Sequence, residues 1–286
     1  NGRFRAAFAA LALLTAPSYP LQDPAPAAVT QTAARLAGEP PGEAATENVP
    51  AAVRAMTGLL PKGETLYYGV EWRLIHAGDA TLRWNGAPPN GGRSREVGLS
   101  LKSAGLVSTL YRVNNSYSAM LEDAFCATSV SLKAEEGSRR RDTRINFDRQ
   151  EGKAHYVERD LAKNEVISTR EIDVPICVHD VIGALYRLRS MKLAPGDTVE
   201  LPVSDGKKSV LARVEAQARE KVQTKAGVYQ TIRYEAHLFN NVLYRRKGRL
   251  YVWLTDDELR VPVQIRARLQ FHIGTITFQL EKQERL

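Results

Sequence analysis

The sequence has few of the residues and motifs that normally carry chemistry. Its 286 residues include two cysteines, three tryptophans, three methionines and five histidines. The histidines, at positions 76, 155, 179, 237 and 272, are far apart and show no metal-ligand spacing. There is no G-x-S-x-G elbow, H-E-x-x-H pair, phosphate-cradling Gly loop or C-x-x-C motif, so no sequence motif supports a serine hydrolase, a zincin, a P-loop enzyme or a thioredoxin-like protein. No catalytic residue, metal ligand or cofactor is assigned on this basis. Long apolar runs are also missing. The best, residues 6–16, is too short for a bilayer span, which needs about 20 apolar residues. A polytopic helical membrane protein is therefore excluded. Hydrophobic content of 43% and charged content of 25% exclude wholesale disorder and collagen.

Acidic residues are in deficit. Forty basic against 32 acidic side chains leave a net charge of +8. The basic residues are scattered, and the one dense run, Arg139-Arg140-Arg141 with Arg144 close behind, follows Glu135-Glu136-Gly137 and reads as a solvated hairpin end. A DNA- or RNA-binding surface would show a concentrated stripe and a reading element, and neither is present, so nucleic acid is not an expected partner. The charge does favour anionic groups such as lipid head groups or acidic glycans.

Arg3 and Arg5 precede the short Ala/Leu-rich stretch, and small residues follow it. That layout is a secretory signal peptide, set at residues 1–18. Residues 19–60, rich in Ala, Pro, Gly, Thr and Glu, cannot bury a core and read as a disordered leader, with a short helix allowed at Ala51–Leu60. The first cysteine is Cys126, far from any cleavage point, so no diacylglyceryl anchor is expected. The product should be soluble in the bacterial periplasm or secreted, without a transmembrane segment.

Residues 61–286 read as a single β-rich domain. Val70, Trp72 and Leu74 alternate with polar residues, as do Ala80, Leu82 and Trp84, with a turn expected at His76-Ala77-Gly78-Asp79. The same period returns at Val97/Leu99/Leu101, Val130/Leu132, Ile145/Phe147, Val199/Leu201/Val203 and Val210/Ala212/Val214. It continues at Ile232/Tyr234/Ala236/Leu238, Leu250/Val252/Leu254, Val263/Ile265/Ala267/Leu269 and Ile276/Phe278/Leu280. Only Val178–Met191 breaks it, with apolar residues at three-and-four spacing and Arg187 and Arg189 on the expected wet side. A shorter helix or turn fits near Ala104–Tyr111. The expected fold is mainly β: a curved antiparallel sheet, half-barrel or barrel-like, packed on one principal α-helix.

An even cysteine count in an oxidising compartment reads as a bridge, here Cys126–Cys177. The rival is a nucleophilic Cys177 activated by His179, but residues two apart at a helix start diverge, which favours the bridge. Asp256-Asp257-Glu258 is the densest acidic cluster and reads as a polar turn, with Ca²⁺ binding or acid/base work as the rival. His179-Asp180 opens the helix, where capping is the preferred role.

The stretches G-E-T-L-Y-Y-G-V-E-W (Gly63–Trp72), I-H-A-G-D-A-T-L (Ile75–Leu82), C-V-H-D-V-I-G-A-L-Y (Cys177–Tyr186), A-G-V-Y (Ala226–Tyr229) and G-R-L-Y-V-W-L-T-D-D (Gly248–Asp257) resemble an exported bacterial family catalogued as domain of unknown function 3108. R-V-P-V (Arg260–Val263) and Gly274–Leu280 complete the likeness, which spans nearly all of the chain from Pro61. The resemblance implies no reaction and carries over no catalytic residue. Its sheet-over-helix plan is similar, at the level of fold, to periplasmic lipoprotein carriers, which hold acyl chains in a half-barrel. The expected function is a non-enzymatic binder of an apolar or amphiphilic, lipid-like ligand or of an envelope component. Trp72, Leu82, Trp84, Tyr111, Leu185 and Trp253 are the candidate lining residues, each equally readable as plain core. Two alternatives stand: an envelope assembly module without a ligand cavity, and a hydrolase using Asp256, Asp257 or His179.

Overall fold

A computed structural model describes residues 60–86, 94–270 and 274–286. The expected signal segment, His272 and all of the leader except Leu60 lie outside them. Leu60 itself is buried against the core.

The alternating segments form one antiparallel sheet of fourteen strands. The first half is a meander: β1 (Gly63–Trp72), β2 (Ile75–Asn85), β3 (Arg95–Ser103), β4 (Val113–Leu121), β5 (Ala127–Glu136), β6 (Arg139–Asp148), β7 (Lys153–Asp160) and β8 (Glu165–Asp173). A short helix α1 (Gly105–Leu110) joins β3 to β4, and a 3-10 turn (Asp123–Phe125) joins β4 to β5. Helix α2 (Val181–Arg189) leads into a second meander: β9 (Thr198–Ser204), β10 (Ser209–Thr224), β11 (Gly227–Ala236), β12 (Gly248–Thr255), β13 (Pro262–Leu269) and β14 (Thr275–Arg285). The two meanders are stitched together where β14 pairs with β1, so β8 and β9 are the outermost strands.

The sheet curls until its ends meet around α2. In strand order β6 and β9 are eleven positions apart, about 50 Å in a flat sheet at about 4.8 Å per strand. Yet the β9–β10 turn packs on the far side: a side chain at Gly206 would meet Ile145 of β6 at 2.9 Å, and Lys207 Nζ lies 3.7 Å from Glu158 of β7. Helix α2 likewise reaches β2 through Trp84, β4 through Tyr117, and β1 through Glu64. The ring is not closed by a strand ladder. Its seam is crossed by the short stretch before α2: Ala127 N–H donates to the Val178 carbonyl (2.8 Å), His179 N–H to Pro202 (2.9 Å), and Ser204 N–H to His179 (2.9 Å). Next to that crossing Cys126 and Cys177 are joined by a disulfide, with Cα atoms 5.0 Å apart.

Two details differ from the sequence reading. The first hairpin turns at Arg73-Leu74, not at 76–79. Both residues adopt the left-handed conformation (φ 50° and 70°) that a two-residue hairpin requires, and Leu74 is 92% exposed. Gly78 lies within β2, where a Cβ would come within 2.2 Å of the Lys102 carbonyl; it serves close strand approach rather than turning. The second concerns Arg189, expected on the wet face of the helix. It is 1% exposed, because α2 lies inside the curl and has little wet face at its C-terminal end.

Candidate functional site

The interior around α2 is where fold and chemistry meet. Asp180 caps the helix: its carboxylate accepts from Ile182 N–H (2.8 Å) and Gly183 N–H (3.1 Å), and Tyr117 of β4 donates its hydroxyl to the same group. Burial pushes the Asp180 carboxyl above its usual range, opposed by those three donors. Burial, with the Asp180 charge beside it, also holds the Tyr117 hydroxyl well above the ordinary phenol value. His179 Nδ1 meets the Phe125 carbonyl at 2.8 Å and acts as the donor there.

One turn further, Tyr186 stacks on Trp84 (ring centroids 4.8 Å apart, 20° between planes), and Phe125 completes the aromatic contact. At the helix end Arg189 makes a two-pronged bond to Glu64 (2.7 and 3.2 Å), both side chains fully buried. Arg189 also donates to the carbonyls of Arg260 (3.0 Å) and Leu259 (3.2 Å), while Gln283 donates to Glu64 (2.9 Å). Burial opposes the charge on Arg189, but the charge interactions with Glu64 above all, and with the Tyr186 and Tyr68 hydroxyls, outweigh it, so its pKa is raised. The Arg189 and Glu64 charges are paired with each other, and the Asp180 carboxylate is held by three hydrogen-bond donors.

The candidate lining residues separate by face. Leu82 and Trp84 of β2 are buried on the inner side, and Leu185 packs on both apolar clusters of the interior. Trp72 is half-buried, with the Arg73 guanidinium 5.5 Å over its ring; Tyr111 is half-buried against the β5–β6 turn at Gly137. Trp253 alternates with Leu250, Val252 and Leu254, which face α2, so it lies on the other side of β12. There the far end of the β10–β11 hairpin folds back over it: Trp253 donates its indole N–H to Glu220 (2.8 Å), and Ala226 N–H reaches the Leu280 carbonyl (3.3 Å). That overlay explains why β12 is buried on both faces.

The hydrolase trio does not converge. Asp257 organises its own turn, accepting from Thr255 (2.7 Å), Leu259 (3.0 Å) and Arg260 (3.0 Å), and Asp256 pairs with Arg219 (2.8 Å). Arg260 contacts the C-terminal end of α2 and His179 precedes its N-terminal end, a separation of about 15 Å along the axis. The Arg139–Arg141 run lies at the β5–β6 hairpin, as expected, with Arg140 3.7 Å from Glu135. His155 is partly exposed beside Glu171.

His179 gives a pH dependence. Burial is the main cause that lowers its pKa from the usual 6.5, so the folded state binds this proton less readily than the unfolded chain. Its contribution to stability is therefore full above the unfolded value and is lost as pH falls through and below it, at up to about 1.4 kcal/mol per pH unit. Urea unfolding between pH 7 and 5 should show this slope in the native chain. In His179→Asn, which keeps an N–H toward Phe125, the slope should flatten. An equal slope in both would mean that His179 titrates freely.

A curled, unclosed antiparallel sheet around one buried helix defines a β-barrel-like class. The chain belongs to the family described as "Protein of unknown function (DUF3108)", whose model matches residues 65–281. No curated protein matches it. Among solved structures it is similar to a β-barrel-like protein of domain of unknown function DUF1849 from Brucella abortus, with a TM-score of 0.53 and 8% identity, covering 79% of this chain and 99% of that one. A Parabacteroides distasonis protein provisionally described as a lipoprotein aligns with a TM-score of 0.35 and 11% identity, over 79% of this chain and 98% of that one. A Bacteroides fragilis protein provisionally described as exported, with a YmcC-like fold, aligns with a TM-score of 0.31 and 14% identity, over 79% and 97%. No helix among the described residues is long and apolar enough to cross a membrane.

Proposed function

We propose that this is an exported, non-enzymatic protein that takes an apolar or amphiphilic, lipid-like ligand or an envelope component into the curl beside α2. The observation that carries the reading is an apolar inner face whose seam is not closed by a strand ladder. Two buried clusters, one around Leu82, Trp84 and Tyr186 and one around Leu188, Val252 and Leu254, meet at Leu185. Among the described residues, backbone hydrogen bonds cross the seam only at Val178–His179, so the sheet can part beside the helix without breaking a strand ladder. The disulfide fits an oxidising compartment, which supports export to the periplasm. In this reading residues 61–286 are the folded unit, behind a cleaved signal at 1–18 and a leader at 19–60. Native mass spectrometry of protein purified from the envelope fraction without detergent should show a lipid-mass adduct, and delipidated protein should take up a fluorescent fatty acid. Bare protein that takes up nothing would overturn the reading.

One observation favours the assembly-module alternative. Leu74 (92% exposed) and Ile75 (53%) at the first hairpin turn lie at the same end of the β2–β3 pair as Leu106 (70%) and Leu110 (52%) of α1. The link is direct: Ala104 N–H bonds the Ala77 carbonyl. An apolar rim of this kind suits a partner or a lipid surface. Bare protein that still binds through this rim would favour it.

A further inference from the structure

We infer that Glu215, Glu235 and His237 form a binding site for one divalent transition-metal ion of the Zn²⁺ type on the outer face of the β10–β11 pair. The register builds the site. Glu215 lies directly opposite Glu235, and His237 N–H continues the ladder to the Arg213 carbonyl (2.9 Å), so Arg213, Glu215, Glu235 and His237 occupy four corners of one face. The ligand atoms of the two glutamates and the histidine lie within 4.8 Å of one another. Bond lengths of about 2.1 Å to a first-row ion require contraction by only about 1 Å, which side-chain rotation supplies.

Two features call for a cation there. Like charges directly across a strand pair repel unless something sits between them. His237 Nε2, 3.7 Å from the Glu215 carboxylate, is sealed from solvent and has no hydrogen-bond partner, although the rest of the ring is partly exposed. A buried ring nitrogen left unpaired is costly, and a bound ion would satisfy it.

The neighbouring groups orient the ligands. Arg213 holds the other oxygen of Glu215, Arg249 stands 3.7 Å from Glu235, and the Gln217 amide donates to Glu235 (2.7 Å). Glu200 of β9 lies opposite Arg213, which gives that guanidinium a second carboxylate when the ion takes Glu215. One imidazole with two carboxylates suits Zn²⁺, Mn²⁺ or Fe²⁺ better than Ca²⁺ or Mg²⁺, which prefer all-oxygen shells.

The test is calorimetric titration of the untagged, chelator-stripped full chain with Zn²⁺, against His237→Ala, Glu215→Gln and a His76→Ala control. All three altered positions are at least partly solvent-exposed, and circular dichroism is the check that each variant is folded. One ion per native chain is expected, with affinity reduced about tenfold or more in the two site variants and unchanged in the control. No binding by the native chain would overturn the site. So would binding that survives either site variant.

Discussion

Arg189→Met is expected to destabilise the protein by about 3–5 kcal/mol, the usual cost of removing one partner from a fully buried ion pair. Both side chains are wholly inside, and with the guanidinium gone, Glu64 keeps only the Gln283 amide at hydrogen-bond distance, with Arg285 at 4.0 Å. Glu64→Leu alone should cost a similar amount, since it leaves the guanidinium facing carbonyls only. The double variant should recover most of the loss, because two apolar groups of similar volume restore a neutral interior. Urea unfolding of the two single variants and the double variant measures the coupling. Single losses below about 1 kcal/mol would mean that the end of α2 is wet and not held inside the sheet.

Removing the Cys126–Cys177 bridge by Ala substitution at both positions should cost up to about 4 kcal/mol, the chain-entropy figure for the 51 residues it spans. The effect should be largest at the seam. The bridge fastens the start of β5 to the stretch whose amides and carbonyls cross to β9, so hydrogen exchange at Ala127, His179 and Ser204 should accelerate more than exchange in the β10–β14 ladder. Uniform acceleration would show a bridge that stabilises the whole fold without gating the seam.

The alternation that announces β2, β5 and β10 is legible because one face of each is buried and the other is more exposed. Strand β8 is almost wholly exposed on both faces, so nothing in its sequence marks an inside. Strand β4 carries Asn115 among its buried positions, bonded to Glu136, which breaks the apolar period. The Asp180 cap was readable because capping is local. Glu64 and Arg189 stand 125 residues apart and read separately as surface charges. The Glu215–Glu235–His237 group was hidden for the same reason: only the hairpin register brings it together. Trp253 shows the opposite limit, since its strand is buried on both faces and alternation alone cannot say which face looks onto the helix.

The curl itself is the feature on which the interior, the seam and the ligand reading all stand. Its most direct measurement is the distance between spin labels, introduced as non-cysteine side chains so that the native bridge stays intact, at Arg159 on β7 and Lys208 in the β9–β10 turn. Lys207 and Glu158, their neighbours, approach to 3.7 Å, so a narrow distribution under about 20 Å is expected once label length is included. A sheet that stays open would put the two labels about 50 Å apart, and a distribution centred there would rule out any enclosed interior.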